Sequence, residues 1–389
     1  MSVSHTPGAF SRRHLIRAGA AGATLAAIPT IGRAQQPTLR IGQIEALSGP
    51  SGAFGLRSSK GAQFRVDDIN ASGGVKIGAT TYKLALTSQD MANDARQAIT
   101  LFRQYASDSD FIAGIGPTNS VGFLPIVPIA EQVKFPVVGT GSAGPVKTWN
   151  TWVFRVNPVN QTGTPVLIKR MVARDKIKTM AAIYDQTQQS QADDASIYRD
   201  MAPQFGYTMA RFEAFRSGDQ DFSAQIASIR AARPDAIFIG AAVTDGVKIV
   251  SQLREAGMEQ RLVSGLSIQD PAFWDGCKGL SKGSYSWIAF DLQSPGPEMK
   301  AFQEQYKAKF NEDLTSVSAY GSDAISAIVA AMQQAGSIDR EAIRAHLASL
   351  DIVTPTGAHV KFTNPPTGEN QTPTAVPVMI TGRTSYETF

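Results

Sequence analysis

Cysteine and histidine are scarce in this 389-residue chain: there is one cysteine, Cys277, and there are four histidines. A lone thiol forms no internal disulfide, whatever the redox compartment. His5 and His14 fall within the first 34 residues, which leaves His346 and His359 for the body. Zinc clusters and a cysteine-dependent active site are therefore disfavoured, and each remaining histidine reads as structural or surface. The one GxSxG match, Gly279-Leu280-Ser281-Lys282-Gly283, stands in a Gly-rich stretch ahead of a strand and not between a strand and a helix, and a Ser-His-Asp triad would have to recruit one of these two histidines, so no hydrolase nucleophile elbow is expected. Nor is there a Lys/Arg run, or an apolar stretch reaching the roughly 20 residues needed to cross a bilayer. The adjacent acids Asp67-Asp68 and Asp193-Asp194 lie on predicted helices, where neighbours diverge, and read as solvated faces and not as acid/base pairs.

What is present begins with Ser11-Arg12-Arg13-His14-Leu15-Ile16-Arg17, the Ala/Gly-rich run Ala18 to Ile31, and Gly32-Arg33-Ala34-Gln35. Paired arginines, a short weakly apolar segment and small residues before a cut near Ala34 make a twin-arginine export signal over residues 1–34. An ordinary secretory leader with a chance Arg pair would deliver the same compartment, the periplasm. Residues 1–34 hold four of the 37 Lys+Arg and none of the 33 Asp+Glu, so the body is formally neutral. The basic pI of about 9.1 belongs to the leader, and with it goes the charge argument for nucleic acid or anionic membrane as a partner.

The body is too long for one ordinary core and fits two domains. Strand-like runs at Leu39–Ile44, Tyr82–Thr87, Phe111–Ile115, Phe135–Val138, Met180–Tyr184, Arg211–Phe215, Ala236–Gly240 and Leu262–Gly265 alternate with helical patterns. Such βα repetition predicts an α/β fold with parallel sheets. One helix is expected from about Lys60 to Asn70, stopping at Gly73-Gly74; another follows an N-cap at Asn93, with Ala95, Ile99, Phe102 and Ala106 on one face. Extended segments at Arg155–Pro158 and Tyr285–Phe290 read as crossovers between two lobes, and Thr354–Gly357 as a third. The lobes expected are 37–154 plus 288–355, and 155–287 plus 356–389.

Gly139-Thr140-Gly141-Ser142-Ala143-Gly144 spells GxGxxG after a strand, but Pro145 and the loop-like Thr148 to Trp152 follow where a helix should open. Without that helix there is no N-terminus to face a pyrophosphate, so no dinucleotide, and no other cofactor, is expected. A turn presenting backbone N–H groups to a small ligand is the better reading.

The fragments Leu39-Arg40-Ile41-Gly42, Ser48-Gly49-Pro50-Ser51-Gly52-Ala53-Phe54-Gly55, Ile69-Asn70-Ala71-Ser72-Gly73-Gly74, Ile115-Gly116-Pro117, Gly218-Asp219-Gln220-Asp221-Phe222 and Leu253-Arg254-Glu255-Ala256-Gly257 resemble, in order and spacing, the periplasmic leucine/isoleucine/valine-binding proteins. The resemblance covers nearly the whole body. It implies a type I periplasmic binding fold, two Rossmann-like lobes joined by three crossovers, which closes over a solute and passes it to an ABC permease and its ATPase, without catalysis or membrane insertion. An exported ligand-sensing subunit of a signalling system is the alternative from the same fold. Carried over by position, Ser120 and the backbone of Gly141, Ser142 and Ala143 match a carboxylate grip, and Phe54 an aromatic packed on the ligand. Gln189 or Ser190, Ala242 and Leu266-Ser267 match the closing contacts. Family members that bind α-amino acids present an acid near Leu266-Ser267, and none stands there. A small organic carboxylate, aromatic or other, is therefore expected, with a branched-chain amino acid as rival if Asp245 or another acid serves the ammonium. The resemblance also places Asn93 and Asn119 where relatives often carry two cysteines, so the two should be neighbours.

Replacing Arg12 and Arg13 with Lys should block delivery to the periplasm while leaving synthesis intact. Normal amounts of processed double mutant in the periplasmic fraction would overturn the twin-arginine assignment.

Overall fold

In the computed structural model residues 1–4, 36–362 and 367–389 are described, so the Arg12-Arg13 signal and its cut near Ala34 lie outside the described residues. From Gln36 onward the chain forms one unit built around two sheets. The first half runs β1 (Thr38–Glu45), α1 (Gly52–Ala71), β2 (Val75–Ile77), β3 (Thr80–Asp90), α2 (Ala95–Ser107), β4 (Phe111–Ile115), α3 (Ser120–Val133), β5 (Val137–Gly139) and β6 (Val153–Arg155). Then follow α4 (Asn160–Asp175), β7 (Thr179–Asp185), α5 (Gln189–Asp200), α6 (Ala202–Phe205), β8 (Thr208–Phe215), α7 (Ser223–Ala232), β9 (Ala236–Gly240), α8 (Val243–Glu255), β10 (Arg261–Ser264), α9 (Pro271–Gly276) and β11 (Tyr285–Ile288). The C-terminal part holds α10 (Pro297–Phe310), α11 (Ser316–Ala335), α12 (Arg340–Leu347), a hairpin of β12 (Asp351–Val353) and β13 (His359–Lys361), then β14 (Val376–Ile380) and β15 (Tyr386–Thr388).

The strands order as β2-β3-β1-β4-β5-β6 in one sheet and β15-β14-β11-β10-β9-β7-β8 in the other. From β3 to β6 and from β11 to β8 neighbours are parallel; β2, β14 and β15 add antiparallel edges. Central strands such as β4 and β9 are buried along their whole length, as parallel strands covered by helices on both faces must be. Strand order reverses direction between β1 and β4 and between β7 and β9. In open α/β sheets it is at the carboxyl side of such reversals that a crevice forms.

Three departures from sequence expectation have physical causes. Helix α1 begins at Gly52, eight residues before Lys60, although three glycines lower its intrinsic propensity. Close packing demands them: a Cβ on Gly55 would stand 2.0 Å from Ala46 O, and one on Gly61 1.8 Å from Ser318 O of α11. The cap of α2 is Asp94, whose side chain accepts from Gln97 N at 2.8 Å, and Asn93 takes the left-handed φ of +56°. The expected third crossover is displaced. Thr354–Gly357 instead form the turn of the β12–β13 hairpin, with Thr354 N donating to Ala358 O at 2.9 Å and Thr356 Oγ1 to the buried Asp323 at 2.8 Å. Val360 and Phe362 pack into the first lobe's core beside Phe154, so Thr356 to Phe362, expected in the second lobe, belong with the first. Thr372 Oγ1 still bonds His359 O, whereas Val376 pairs with Ile288, which places the passage between them. β6 of the first sheet ends at Arg155 ahead of α4 and β7, and β11 of the second ends at Ile288 ahead of α10 and α11.

The contact of α1 with α11 offers a stability test. Gly61→Ala puts a methyl group into the Ser318 backbone, and overpacking of this kind costs about 1–3 kcal/mol. Urea denaturation should show that loss; unchanged stability would mean the helices are not held this close.

Candidate functional site

All the residues that line the inner cavity between the lobes, except Val317 at the start of α11, follow the carboxyl end of a strand. Ser51 and Phe54 follow β1, Thr118 and Asn119 follow β4, Gly141 and Ala143 follow β5, and Asn160 follows β6. From the second lobe come Gln188, Ser190, Gln191 and Asp194 after β7, Ala242 after β9, and Gly265 to Ser267 after β10. The cavity holds about 60 Å³, several times the roughly 10–15 Å³ that one water requires. It shares Phe54, Leu266 and Val317 with a larger groove of about 350 Å³ that runs on towards Leu292, Asp270 and Tyr386.

The first-lobe wall is a set of hydrogen-bond donors. Asn119 caps α3 by accepting from Gly122 N at 3.0 Å, and the N–H groups of Ser120 and Val121 then have no intrahelical partner at the positive end of the helix dipole. Opposite, the carbonyls of the Gly-rich loop are drawn back. Arg155 Nη1 donates to Ser142 O at 2.9 Å and Gly144 O at 2.6 Å, Asn157 Nδ2 to Ser142 O at 3.0 Å, and Asn160 N to Ala143 O at 3.2 Å. With these carbonyls engaged, the loop's remaining backbone donors are the groups left for a ligand. No helix opens after Gly144.

Of the residues picked out in the sequence, Phe54, Gly141, Ala143, Ala242 and Ser267 line the cavity together. Ser120 and Ser142 lie just behind it, buried, their hydroxyl oxygens 3.0 Å apart. Gln189 is exposed and its amide donates to Asp193, so that wall is made by Gln188 and Ser190. Asp245, the candidate counter-charge, is buried elsewhere: it accepts from Gly218 N at 3.0 Å and lies 3.4 Å from Lys248 Nζ. Asn119 Nδ2 donates to Asn93 Oδ1 at 2.7 Å, the expected neighbourhood of the two asparagines.

Two acids and one cation escaped the sequence reading. Asp194, read as solvated, is 2 % exposed and faces the cavity; burial pushes its carboxyl up to about 7 despite a 2.5 Å hydrogen bond from Thr164 Oγ1. Glu45, at the end of β1, is fully buried under the donor wall and likewise pushed up to about 7. It accepts from Thr118 N at 2.9 Å, Thr118 Oγ1 at 3.0 Å and Thr140 Oγ1 at 2.9 Å, so it ties the loop after β4 to the loop after β5. Arg155 has no exposed surface and pairs with Glu369 at 2.6 Å. Sequence carries no signal for any of the three, because an acid on a helix, a glutamate ending a strand and an arginine in a strand look alike whether buried or not.

Lobe-to-lobe contacts surround the cavity: Gln188 Nε2 lies 3.4 Å from Ser51 Oγ, and Arg57 of α1 lies 3.7 Å from the buried Asp270. Among the described residues no cluster of three or more His, Cys, Asp or Glu could hold a metal ion, and no helix is long and apolar enough to cross a membrane.

A family model described as periplasmic binding protein matches residues 38–380. The chain is 26 % identical over 308 residues to Leu/Ile/Val-binding protein homolog 3 of Brucella melitensis, covering 78 % of this chain and 81 % of that one. In fold it is similar to the branched-chain amino acid transporter substrate binding protein LivJ of Streptococcus pneumoniae, solved with isoleucine: TM-score 0.80, 21 % identity, 90 % and 98 % of the two chains covered. A solute binding protein of an ABC transporter from Rhodopseudomonas palustris, solved with 3,4-dihydroxybenzoic acid, superposes with TM-score 0.76 at 16 % identity over 88 % and 93 % of the chains.

Glu45 supplies a test by pH. An acid whose pKa is higher folded than unfolded keeps its proton longer in the native state, so between about pH 4.5 and 7 the native chain binds more protons and stability falls as pH rises. Glu45→Gln cannot titrate, so its melting temperature should fall less than that of the parent from pH 5 to 8. Parallel pH profiles would refute the assignment.

Proposed function

The chain belongs to the periplasmic binding protein family, in its leucine/isoleucine/valine-binding branch, and from that premise we propose that it is exported and shuts its two lobes over a small carboxylate, which it delivers to an ABC permease and its ATPase. The observation that carries this reading is the donor wall: a helix N-terminus and a Gly-rich loop, their other polar groups already engaged, converge on one cavity at the carboxyl ends of β4 and β5. Backbone N–H groups and a helix dipole hold a carboxylate without a dedicated cation in contact with it. The rest of the ligand, aromatic or branched aliphatic, has Phe54, Leu266 and Val317 to pack on where the cavity meets the groove. Ala242 and Ser267 bring only small side chains to the second-lobe wall and leave room for it. An organic acid and a branched-chain amino acid both satisfy these contacts. The protein acts by binding alone.

Closure follows from where the contacts sit. A ligand held by both lobes gains its second half only when they meet, so binding favours the shut state by that differential affinity. Small-angle scattering should show a smaller radius of gyration on saturation with the true ligand. Calorimetry with an acid and its carboxamide isolates the grip: loss of a charge-assisted hydrogen bond, about 1.5–3 kcal/mol, weakens binding by roughly 10-fold to 150-fold. A carboxamide that binds as tightly as the acid would end the carboxylate reading.

A further inference from the structure

Asp194 is out of place in a cavity that otherwise receives an anion. It lies on α5, one turn and a half from the helix start, on the wall facing Gly265. Its residue is 98 % buried, since only 2 % of its surface is exposed. One oxygen, Oδ1, accepts from Thr164 Oγ1. The other, Oδ2, makes no hydrogen bond among the described residues, lies on the side of Gly265, and belongs to a residue that lines the cavity. No lysine or arginine acts on this carboxylate; the charged neighbour that does is Asp193, which repels it. Among the other buried acids, Glu45 has three donors, Asp245 has Lys248 and Asp270 has Arg57, while Asp185, at the end of β7, also has an oxygen without a partner but does not line the cavity.

An uncompensated carboxylate in a closed cavity is costly, and it persists where a partner arrives from outside. We propose that Asp194 is a specificity-determining residue that receives a protonated amine of the ligand through Oδ2, so that the solute is a small acid bearing both charges. This rests on the carboxylate reading above and adds to it. The counter-charge missing at Leu266-Ser267 is supplied from a different helix, and the ligand's amine is directed to the α5 side of the cavity. Thr164 fixes the carboxylate's rotation from behind, as a positioning residue. The ammonium pairs with the ionised carboxylate, and any proton the buried carboxyl carried leaves to solvent on binding.

Calorimetry on the full mature protein decides it, with two matched pairs as probes: L-leucine against 4-methylpentanoate and L-phenylalanine against 3-phenylpropanoate. The amino member of the pair that binds should be tighter by about 10-fold to 150-fold, the worth of a charge-assisted hydrogen bond. Asp194→Asn should abolish that preference while leaving the deaminated acid as strong or stronger, and Thr164→Val should shrink it without touching the deaminated acid. If Asp194→Asn does not fold, the parent and Thr164→Val still decide. Equal affinity for both members, or a preference that survives Asp194→Asn, overturns the role of Asp194 while the carboxylate reading stands. Binding of neither member of either pair overturns both.

Discussion

The guanidinium of Arg155 is the contact on which the site depends most. It ends β6, has no exposed surface, and reaches three ways: to Ser142 O and Gly144 O in the loop after β5, and to Glu369 on the chain that returns between the lobes. Its charge is held in the planar fork that suits several acceptors at once, and Trp149 lies 5.3 Å from it. By holding the Ser142 and Gly144 carbonyls it fixes the loop that supplies Gly141 and Ala143 to the cavity. By pairing with Glu369 it binds the first passage between the lobes to the chain that precedes the third. The ligand grip and the hinge thus share one buried cation.

Around that cation the charges form layers. Arg155 stands behind the Gly-rich loop, the donor wall fronts the cavity, Glu45 lies under the β1 side and Asp194 closes the far wall. Burial raises both acids because water no longer solvates the carboxylate, while hydroxyl and N–H donors hold Glu45 and the Thr164 hydroxyl holds Asp194. Such an arrangement is polarised across the cavity, with donors on one lobe and an acceptor on the other. A polarised cavity selects orientation as well as composition, since a ligand entering reversed would set its anion against Asp194.

How much of this was legible in the sequence differs by level. Strand positions were, because parallel strands buried on both faces read as continuous apolar runs; Phe111–Ile115 and Ala236–Gly240 coincide with β4 and β9 to the residue. The start of α1 was not, since glycines argue against a helix unless one knows that Ala46 and Ser318 press against them. Nor was the hairpin at Asp351–Lys361, whose place in the first lobe is set by Phe362 meeting Phe154, a contact between residues far apart in the chain.

The sequence by itself determined the fold class, the absence of an internal disulfide and the formally neutral charge of residues 35–389. These depend on local period, composition and order along the chain, which survive without coordinates. Tertiary structure alone decided that Gln189 turns outward while Asp194 turns in, that Asp245 is spent on Gly218 and Lys248, and that Arg155 and Glu45 lie buried beside the cavity. The reason is physical: a side chain's charge is written in its identity, but its desolvation and its partners come from elements distant in sequence that pack against it.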